Sequence, residues 1–239
     1  MENLGYLLDE KEITPVDVQQ RYDSRTYYRE RKRAKNENRY GYRIAKRSFD
    51  IVGSIAAIVI SAIPMLIIAL LIFLQDGHNP IFKQTRVTKD GRFFTMYKFR
   101  TMHVNAEAML DELCSQNEAD GPVFKMKNDP RVMKIGRFLR RASLDEIPQF
   151  FNVLNGTMSF VGPRPPLPQE MESYTPYQLH RLDVKGGITC YWQCSGRSNI
   201  MFDTWVELDL KYIRECSAWV DFKILLRTVV AILKRDGAE

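Results

Sequence analysis

The chain has 239 residues, 45% hydrophobic and 27% charged, with 4 Cys and a formal charge of +6 from 35 Lys plus Arg against 29 Asp plus Glu. Those values exclude a disordered, collagen-like or disulfide-framework chain, which would be more charged, Gly-periodic or Cys-dense, and the length suits one or two domains. The mean hydropathy of -0.31 reads as soluble, yet it averages over an uncharged run from Ile51 to Leu74 that a fully soluble protein does not carry.

Residues 1–24 form a mixed polar preface with room for a short helix and no usable motif. From Arg25 to Arg47, ten basic residues (Arg25, Arg29, Arg31, Lys32, Arg33, Lys35, Arg39, Arg43, Lys46 and Arg47) stand against Glu30 and Glu37, interleaved with Tyr27, Tyr28, Tyr40 and Tyr42. Basic residues beside a membrane segment stay on the cytoplasmic side and are drawn to anionic lipid head groups. A solvated arm and a nucleic-acid contact are the other readings of such a run. The adjoining apolar stretch favours lipid, so membrane lipids are the expected partner and nucleic acid is not. A cleaved signal peptide is disfavoured, because the apolar run starts about fifty residues in and no small-residue cleavage site follows it.

The 24 residues from Ile51 to Leu74 would, as a helix rising about 1.5 Å per residue, match a hydrocarbon core about 30 Å thick. Pro64 lies near the middle, three residues after Ser61. Proline deletes one helical hydrogen bond and clashes with the preceding turn, so a kink is expected there, with the Ser61 hydroxyl satisfying part of the freed backbone. A run bent in this way can enter a bilayer and turn back rather than cross it.

After Asn79-Pro80, Ile81 to Val87 and Arg92 to Phe99 read as two strands joined at Lys89-Asp90-Gly91, a hairpin signal. Ala106 to Cys114 reads as helix, as does Arg131 to Arg141, which sets Arg137 and Arg141 on one face at i, i+4 spacing. A further helix is predicted from Ser143 to Leu154, stopping at Asn155-Gly156. Thr204 to Glu215 and Ala218 to Lys234 are amphipathic, and periodicity alone does not separate core helices from helices lying on a bilayer. Cys190 and Cys194 are four apart, but no His follows at zinc-site spacing, and His78, His103 and His180 are isolated.

The chemistry concentrates between Arg137 and Arg164. Asp145 and Glu146 sit just before Ile147-Pro148; proline is best tolerated in a first helical turn, and Ser143 with Glu146 fits a capping box, so both carboxylates fall at a helix N-terminus. Capping is the bland role for such a pair. The exposed N–H groups at a helix start favour anions, and an ionised Asp beside a phosphate is a nucleophile while an adjacent carboxylate can hold a divalent cation. Arg137, Arg140 and Arg141 precede the pair, and Arg164 stands between Pro163 and Pro165 on a stiff turn suited to forked phosphate recognition.

The chain resembles the bacterial sugar transferase family, the monotopic polyprenyl-phosphate sugar-1-phosphate transferases or phosphoglycosyl transferases. The matching blocks run in order from Lys46: KRSFD (Lys46 to Asp50), the apolar run with Pro64, YKFRTM (Tyr97 to Met102), LRRASLDEIPQFFNVLNGTMSFVGPRP (Leu139 to Pro165), GITCYWQCSGR (Gly187 to Arg197) and YIRECSAWVDFKILLRTV (Tyr212 to Val229). The resemblance implies transfer of a sugar-1-phosphate from a UDP-sugar to undecaprenyl phosphate, with release of UMP, at the cytoplasmic face of the bacterial inner membrane. This is the first membrane step of exopolysaccharide, capsule or O-antigen assembly. It implies Asp145 as nucleophile, Glu146 as partner of Mg²⁺ with Asp145 beside it, and Lys98, Arg164 and Arg197 as phosphate or nucleotide contacts; Arg137 and Arg141 join them as neighbouring cations. Together with the element readings above, it leads to an α+β, mostly helical expectation: a polar and basic extension over 1–43, which carries no family motif, a re-entrant membrane helix over 44–75 broken at Ser61 and Pro64, and a cytoplasmic domain over 76–239 with a small β-hairpin and amphipathic interfacial helices. A homo-oligomer is left open.

Two departures stand out. Gly186-Gly187-Ile188-Thr189-Cys190 replaces the family's Pro-Gly-x-Thr-Gly, which bears on the turn presenting Arg197, and Arg86-Val87-Thr88 lacks the usual Gly. The alternative from another class is a catalytically silent membrane-anchored scaffold or regulator of glycan assembly, which the intact dyad, Lys98 and Arg164 disfavour.

Overall fold

The apolar run forms the middle of a single 37-residue helix, α1, spanning Tyr40–Asp76. The structure, a computed structural model, describes residues 40–234 except 114–116, 119, 120, 125, 127 and 195–199. α1 is long and apolar enough to cross a membrane, and Val59, Ile60, Ile63 and Leu66 project outward from its centre. The expected break at Pro64 is not an interruption: the helix continues through it. The Ser61 hydroxyl donates to the Ala57 carbonyl at 2.6 Å, one turn back, and not to Ile60, whose carbonyl a proline at 64 leaves without its usual donor.

The rest of the chain grips α1 near both ends. At the first end, Lys46 Nζ donates to the Val161 carbonyl at 2.9 Å and to Asp221 Oδ2 at 2.8 Å, and Tyr42 donates to the same carboxylate. Arg47 donates to the carbonyls of Val153 and Leu154. Those carbonyls close a short helix, so Arg47 serves as a cationic C-terminal cap. Lys46 and Arg47, read from sequence as part of a lipid-facing arm, are therefore pins into protein; the arm's residues up to Arg39 lie outside the described residues. At the second end, Ile68 and Ile72 join Phe99, Met133 and Leu139 in a buried cluster, and Arg100 forms a two-pronged ion pair with Asp76.

The expected hairpin forms: β1 (Ile81–Val87) pairs antiparallel with β2 (Phe93–Phe99), with Phe82 opposite Lys98 and Arg86 opposite Phe94. A second pair, β3 (Ser159–Val161) and β4 (Gly187–Thr189), is parallel and was not read from sequence, since three residues are too few to carry a period of two. The helix expected from Ala106 is only α2 (Leu110–Leu113), preceded by turns, and Cys114 lies outside the described residues. The helix expected from Arg131 starts later, as α3 (Lys134–Arg141). Asp129 accepts from both the Arg131 backbone and its guanidinium, and Val132 is paired with Met102, so both residues are committed before the helix begins.

Downstream, α4 (Gln149–Asn155) ends at Gly156 in the left-handed conformation, as its sequence predicts. The short helices α5 (Pro176–Leu179) and α6 (Tyr191–Cys194) lead to α7 (Phe202–Glu215) and α8 (Ala218–Lys234). The ambiguity between core and surface helices resolves differently for the last two. α7 buries Phe202, Trp205, Val206, Leu210 and Ile213 in the largest cluster. α8 buries Ile224 and turns Trp219, Phe222, Leu226, Val229 and Val230 outward.

Candidate active site

Asp145 and Glu146 lie in a 3-10 turn, Leu144–Glu146, between α3 and α4. The expected capping box is absent: Ser143 adopts the left-handed conformation at φ 54 and its side chain caps nothing. The turn also splits the predicted Ser143–Leu154 helix, because α4 starts only after Pro148. The pair is fixed from below by packing. Leu144 and Ile147, on either side of it, sit against the cluster that holds Ile68 and Ile72 of α1. From α4, Asn152 accepts from the Tyr97 N–H at 3.0 Å and donates to the Thr95 carbonyl at 2.7 Å, tying the dyad's helix to β2.

That tie brings Lys98 to the dyad. Lys98 Nζ lies 2.9 Å from Glu146 Oε1, so two residues singled out from sequence meet in space. Asp145 is 9% exposed. Burial, reinforced by the Glu146 charge, outweighs the pull of Lys98 and Arg140 and pushes its carboxyl up to about 6. A carboxyl so placed is still ionised at neutral pH, and it is poorly solvated, the condition of a usable nucleophile.

The cation of α3 that acts on Asp145 is Arg140; Arg137 and Arg141 share an exposed face of the helix. Arg140 Nε donates to the Thr101 hydroxyl at 3.0 Å. This contact needs α3 to lie directly on the strand end, and Gly136 permits it: a Cβ there would collide with the Thr101 carbonyl. The sequence holds a signal for Arg140, which adjoins the buried Leu139, but three closely spaced arginines hid which one turns inward.

Arg164 is held as a stiff turn should hold it. Its turn is pinned by the Gly187 N–H to the Pro163 carbonyl at 2.9 Å, the Arg86 guanidinium to the Pro165 carbonyl at 3.0 Å, and the Val87 N–H to the Pro166 carbonyl at 3.0 Å. Gly187 allows this approach, since a Cβ would strike the Gly162 backbone. Arg164 itself pairs with Glu170 at 3.3 Å and lies over the Trp205 ring. Arg86, Glu170 and Asn152 were missed from sequence; a buried arginine in a strand looks like any edge cation. Arg197 lies outside the described residues, while Cys190 before it is fully buried.

A divalent cation, if bound here, would have the dyad carboxylates as its protein donors. Among the described residues no group of three or more His, Cys, Asp or Glu converges, so an all-protein cage is not formed. Mg²⁺ is commonly held by one or two carboxylates together with waters and substrate phosphates, and Asp145 with Glu146 fits that donor set.

Comparison with known proteins converges on the same segments. Residues 41–235 match the sequence model described as Bacterial sugar transferase. The chain is 47% identical over 202 residues to the galactosyl transferase CpsE of Streptococcus agalactiae serotype III, covering 84% of this chain and 45% of that protein. It is 42% identical over 203 residues to the undecaprenyl-phosphate galactose phosphotransferase of Salmonella typhimurium, covering 82% and 42%. It is 36% identical over 200 residues to the exopolysaccharide production protein ExoY of Rhizobium meliloti, covering 82% and 88%. The chain thus spans less than half the length of the first two relatives and most of the third.

Proposed function

The chain belongs to the bacterial sugar transferase family, and from that premise and the setting of Asp145 we propose that it transfers a sugar-1-phosphate from a UDP-sugar to undecaprenyl phosphate, releasing UMP. One observation carries the reading: a buried carboxylate that ionises near neutrality, with Lys98 and Arg140 acting on it, rides on a segment packed against the apolar helix. A water-soluble nucleotide donor and a lipid acceptor must meet at a bilayer surface, and this is where the chain mounts its nucleophile.

Two displacements follow. The Asp145 carboxylate attacks the sugar-bearing phosphorus, the P–O bond to the leaving phosphate breaks, and UMP departs with the electron pair. A phosphate oxygen of the acceptor then attacks the same phosphorus of the acyl phosphate and returns Asp145 as carboxylate. Both nucleophiles are already anionic, so neither step needs a general base. Charge on the phosphoryl oxygens is met by Lys98, Arg140 and the Arg164 turn, which stay positioned throughout. A Mg²⁺ held by Glu146 and Asp145 would neutralise phosphate charge during both displacements.

The re-entrant placement is part of the proposal. The same unit binds α1 at Lys46–Asp50 and again at Ile68–Asp76, which favours both ends lying on the cytoplasmic face of the inner membrane. The sugar and the final glycan are not encoded in these contacts. The test is incubation of purified protein with a panel of UDP-sugars, Mg²⁺ and undecaprenyl phosphate, with UMP as readout. Release with at least one sugar, lost on chelation and in Asp145→Asn, supports the reading; undiminished turnover by Asp145→Asn refutes the covalent step.

A further inference from the structure

Arg86 is 5% exposed, and its guanidinium bonds only to neutral oxygens: Gln84 Oε1 at 2.9 and 2.6 Å and the Pro165 carbonyl at 3.0 Å. Among the described residues no carboxylate lies within ion-pair distance of it. A buried charge without a counter-ion is costly, and the usual remedy is a paired acid. A second cation also acts on it. Arg164 acts on Arg86 as a like charge, and burial together with that repulsion presses the Arg86 guanidinium down toward about 9, still protonated at neutral pH.

The acid that pairs with this corner is bound to Arg164 and not to Arg86. Glu170, 3% exposed, lies 3.3 Å from Arg164 and also accepts the Leu167 N–H at 3.0 Å. Two guanidiniums thus share a corner in which one carboxylate, Glu170, stands at ion-pair distance of Arg164 and none of Arg86. The field of that corner reaches the dyad, because Glu146 also acts on Arg86. Along β1, Phe82 opposite Lys98 and Arg86 lie on one face, about 13 Å apart at roughly 3.3 Å per residue. Lys98 and Arg86 therefore share one face of the hairpin, with the dyad at the Lys98 end.

We propose that Arg86 is a positioning residue for the donor: it fixes the Arg164 turn through Pro165, and its uncompensated charge, set against Glu170, tunes that turn for the diphosphate of a nucleoside diphosphate. The proposal rests on the reading of the chain as a UDP-sugar transferase. It assigns Arg86 and Glu170 opposite effects on the same ligand. Removing Arg86 lowers the positive charge of the corner and frees the turn; removing the Glu170 charge raises it.

The experiment measures binding of UDP to the full-length detergent-solubilised protein by calorimetry, for the parent chain, Arg86→Gln, Arg86→Lys and Glu170→Gln, at low and high salt. Arg86→Gln is expected to weaken UDP about tenfold, the scale of one charge-assisted phosphate interaction. Arg86→Lys should recover part of the loss. Glu170→Gln should bind UDP about threefold more tightly at low salt, an advantage that salt erodes. A purely structural role predicts that Arg86→Gln and Glu170→Gln both weaken binding, and that result overturns the proposal, as does unchanged affinity in Glu170→Gln. If Arg86→Gln does not fold, the Glu170→Gln arm decides alone. Failure of the parent chain to bind UDP would instead count against the transferase reading itself.

Discussion

Leu144, the residue before Asp145, packs in the same apolar cluster as Ile72 of the membrane helix. The placement of the dyad and the seating of the apolar helix are therefore one packing problem. Ile72 is fully buried, and truncating such a side chain typically costs about 2–4 kcal/mol through lost transfer energy and a residual cavity. Ile72→Ala should lower the thermal midpoint in detergent and reduce UMP release. Ile67→Ala, at an exposed position five residues earlier, should leave both unchanged. Equal losses in the two variants would show that the helix matters only as lipid anchor.

In the proposed reaction Asp145 sets the acid limb of the first half-reaction. Its carboxyl is pushed to about 6 and must be ionised to attack, so single-turnover UMP release without acceptor should rise through about pH 6 and level off above 7. The phosphodiester donor titrates far below this range and does not blur the profile. Lys98 lowers the Asp145 value and Glu146 raises it, so the inflection should move to higher pH in Lys98→Met and to lower pH in Glu146→Gln. A common shift in both variants would mean that another group titrates.

The same carboxyl weighs against stability. Its folded value lies above the ordinary 3.8, so the folded chain holds a proton between about pH 4 and 6 that the unfolded chain has released. Its contribution is present below about pH 4 and lost as the pH rises through 6, up to about 3 kcal/mol. Asp145→Asn should therefore be inactive yet more heat-stable than the parent at pH 7.5, with the difference vanishing near pH 4. A variant less stable at every pH would show that the carboxylate is held by favourable contacts.

How much of this was legible beforehand depends on whether a feature is local. The hairpin turn at Lys89–Gly91, the stop at Gly156 and the span of α8 follow from residue types at fixed offsets. The dyad stands out by residue type and order and Lys98 by the family resemblance, but the 2.9 Å contact of Lys98 with Glu146 needs Asn152 to dock α4 on β2. Periodicity separates Arg140 from Arg137 and Arg141 without saying which face turns inward. Lys46 and Arg47 looked like more of a basic arm because their acceptors lie over 100 residues away. Ser143 fitted a capping box by composition, but its backbone turns left-handed just ahead of the dyad and its side chain makes no cap bond.

Gly136 offers a strict test of close approach. Its Cα faces the Thr101 carbonyl so closely that a Cβ cannot fit, and backbone does not yield as a flexible side chain would. Gly136→Ala should cost about 1–3 kcal/mol as α3 is forced off the strand end, despite the higher helix propensity of Ala. It should also loosen the Arg140 bond to Thr101 and slow UMP release. A gain in thermal midpoint, as propensity alone demands, would contradict the packing seen here.

The pair Arg181 and Asp209 separates structure from chemistry. Arg181 is fully buried, donates to Asp209 at 2.9 Å and to the Tyr174 hydroxyl at 2.6 Å, and lies over the Trp205 ring. Burial pushes Asp209 up to about 6 even though Arg181 pulls it down. Arg181→Met would strand the carboxylate, at a cost of about 3–5 kcal/mol at pH 7.5. Because the raised Asp209 carboxyl would then take up a proton readily, the loss should shrink toward pH 5. Replacing both, as Arg181→Met with Asp209→Leu, removes the stranded charge and should recover most of the midpoint at every pH. Failure of the double variant to recover would mean that the other contacts of Arg181, its bond to the Tyr174 hydroxyl and its place over the Trp205 ring, outweigh the ion pair.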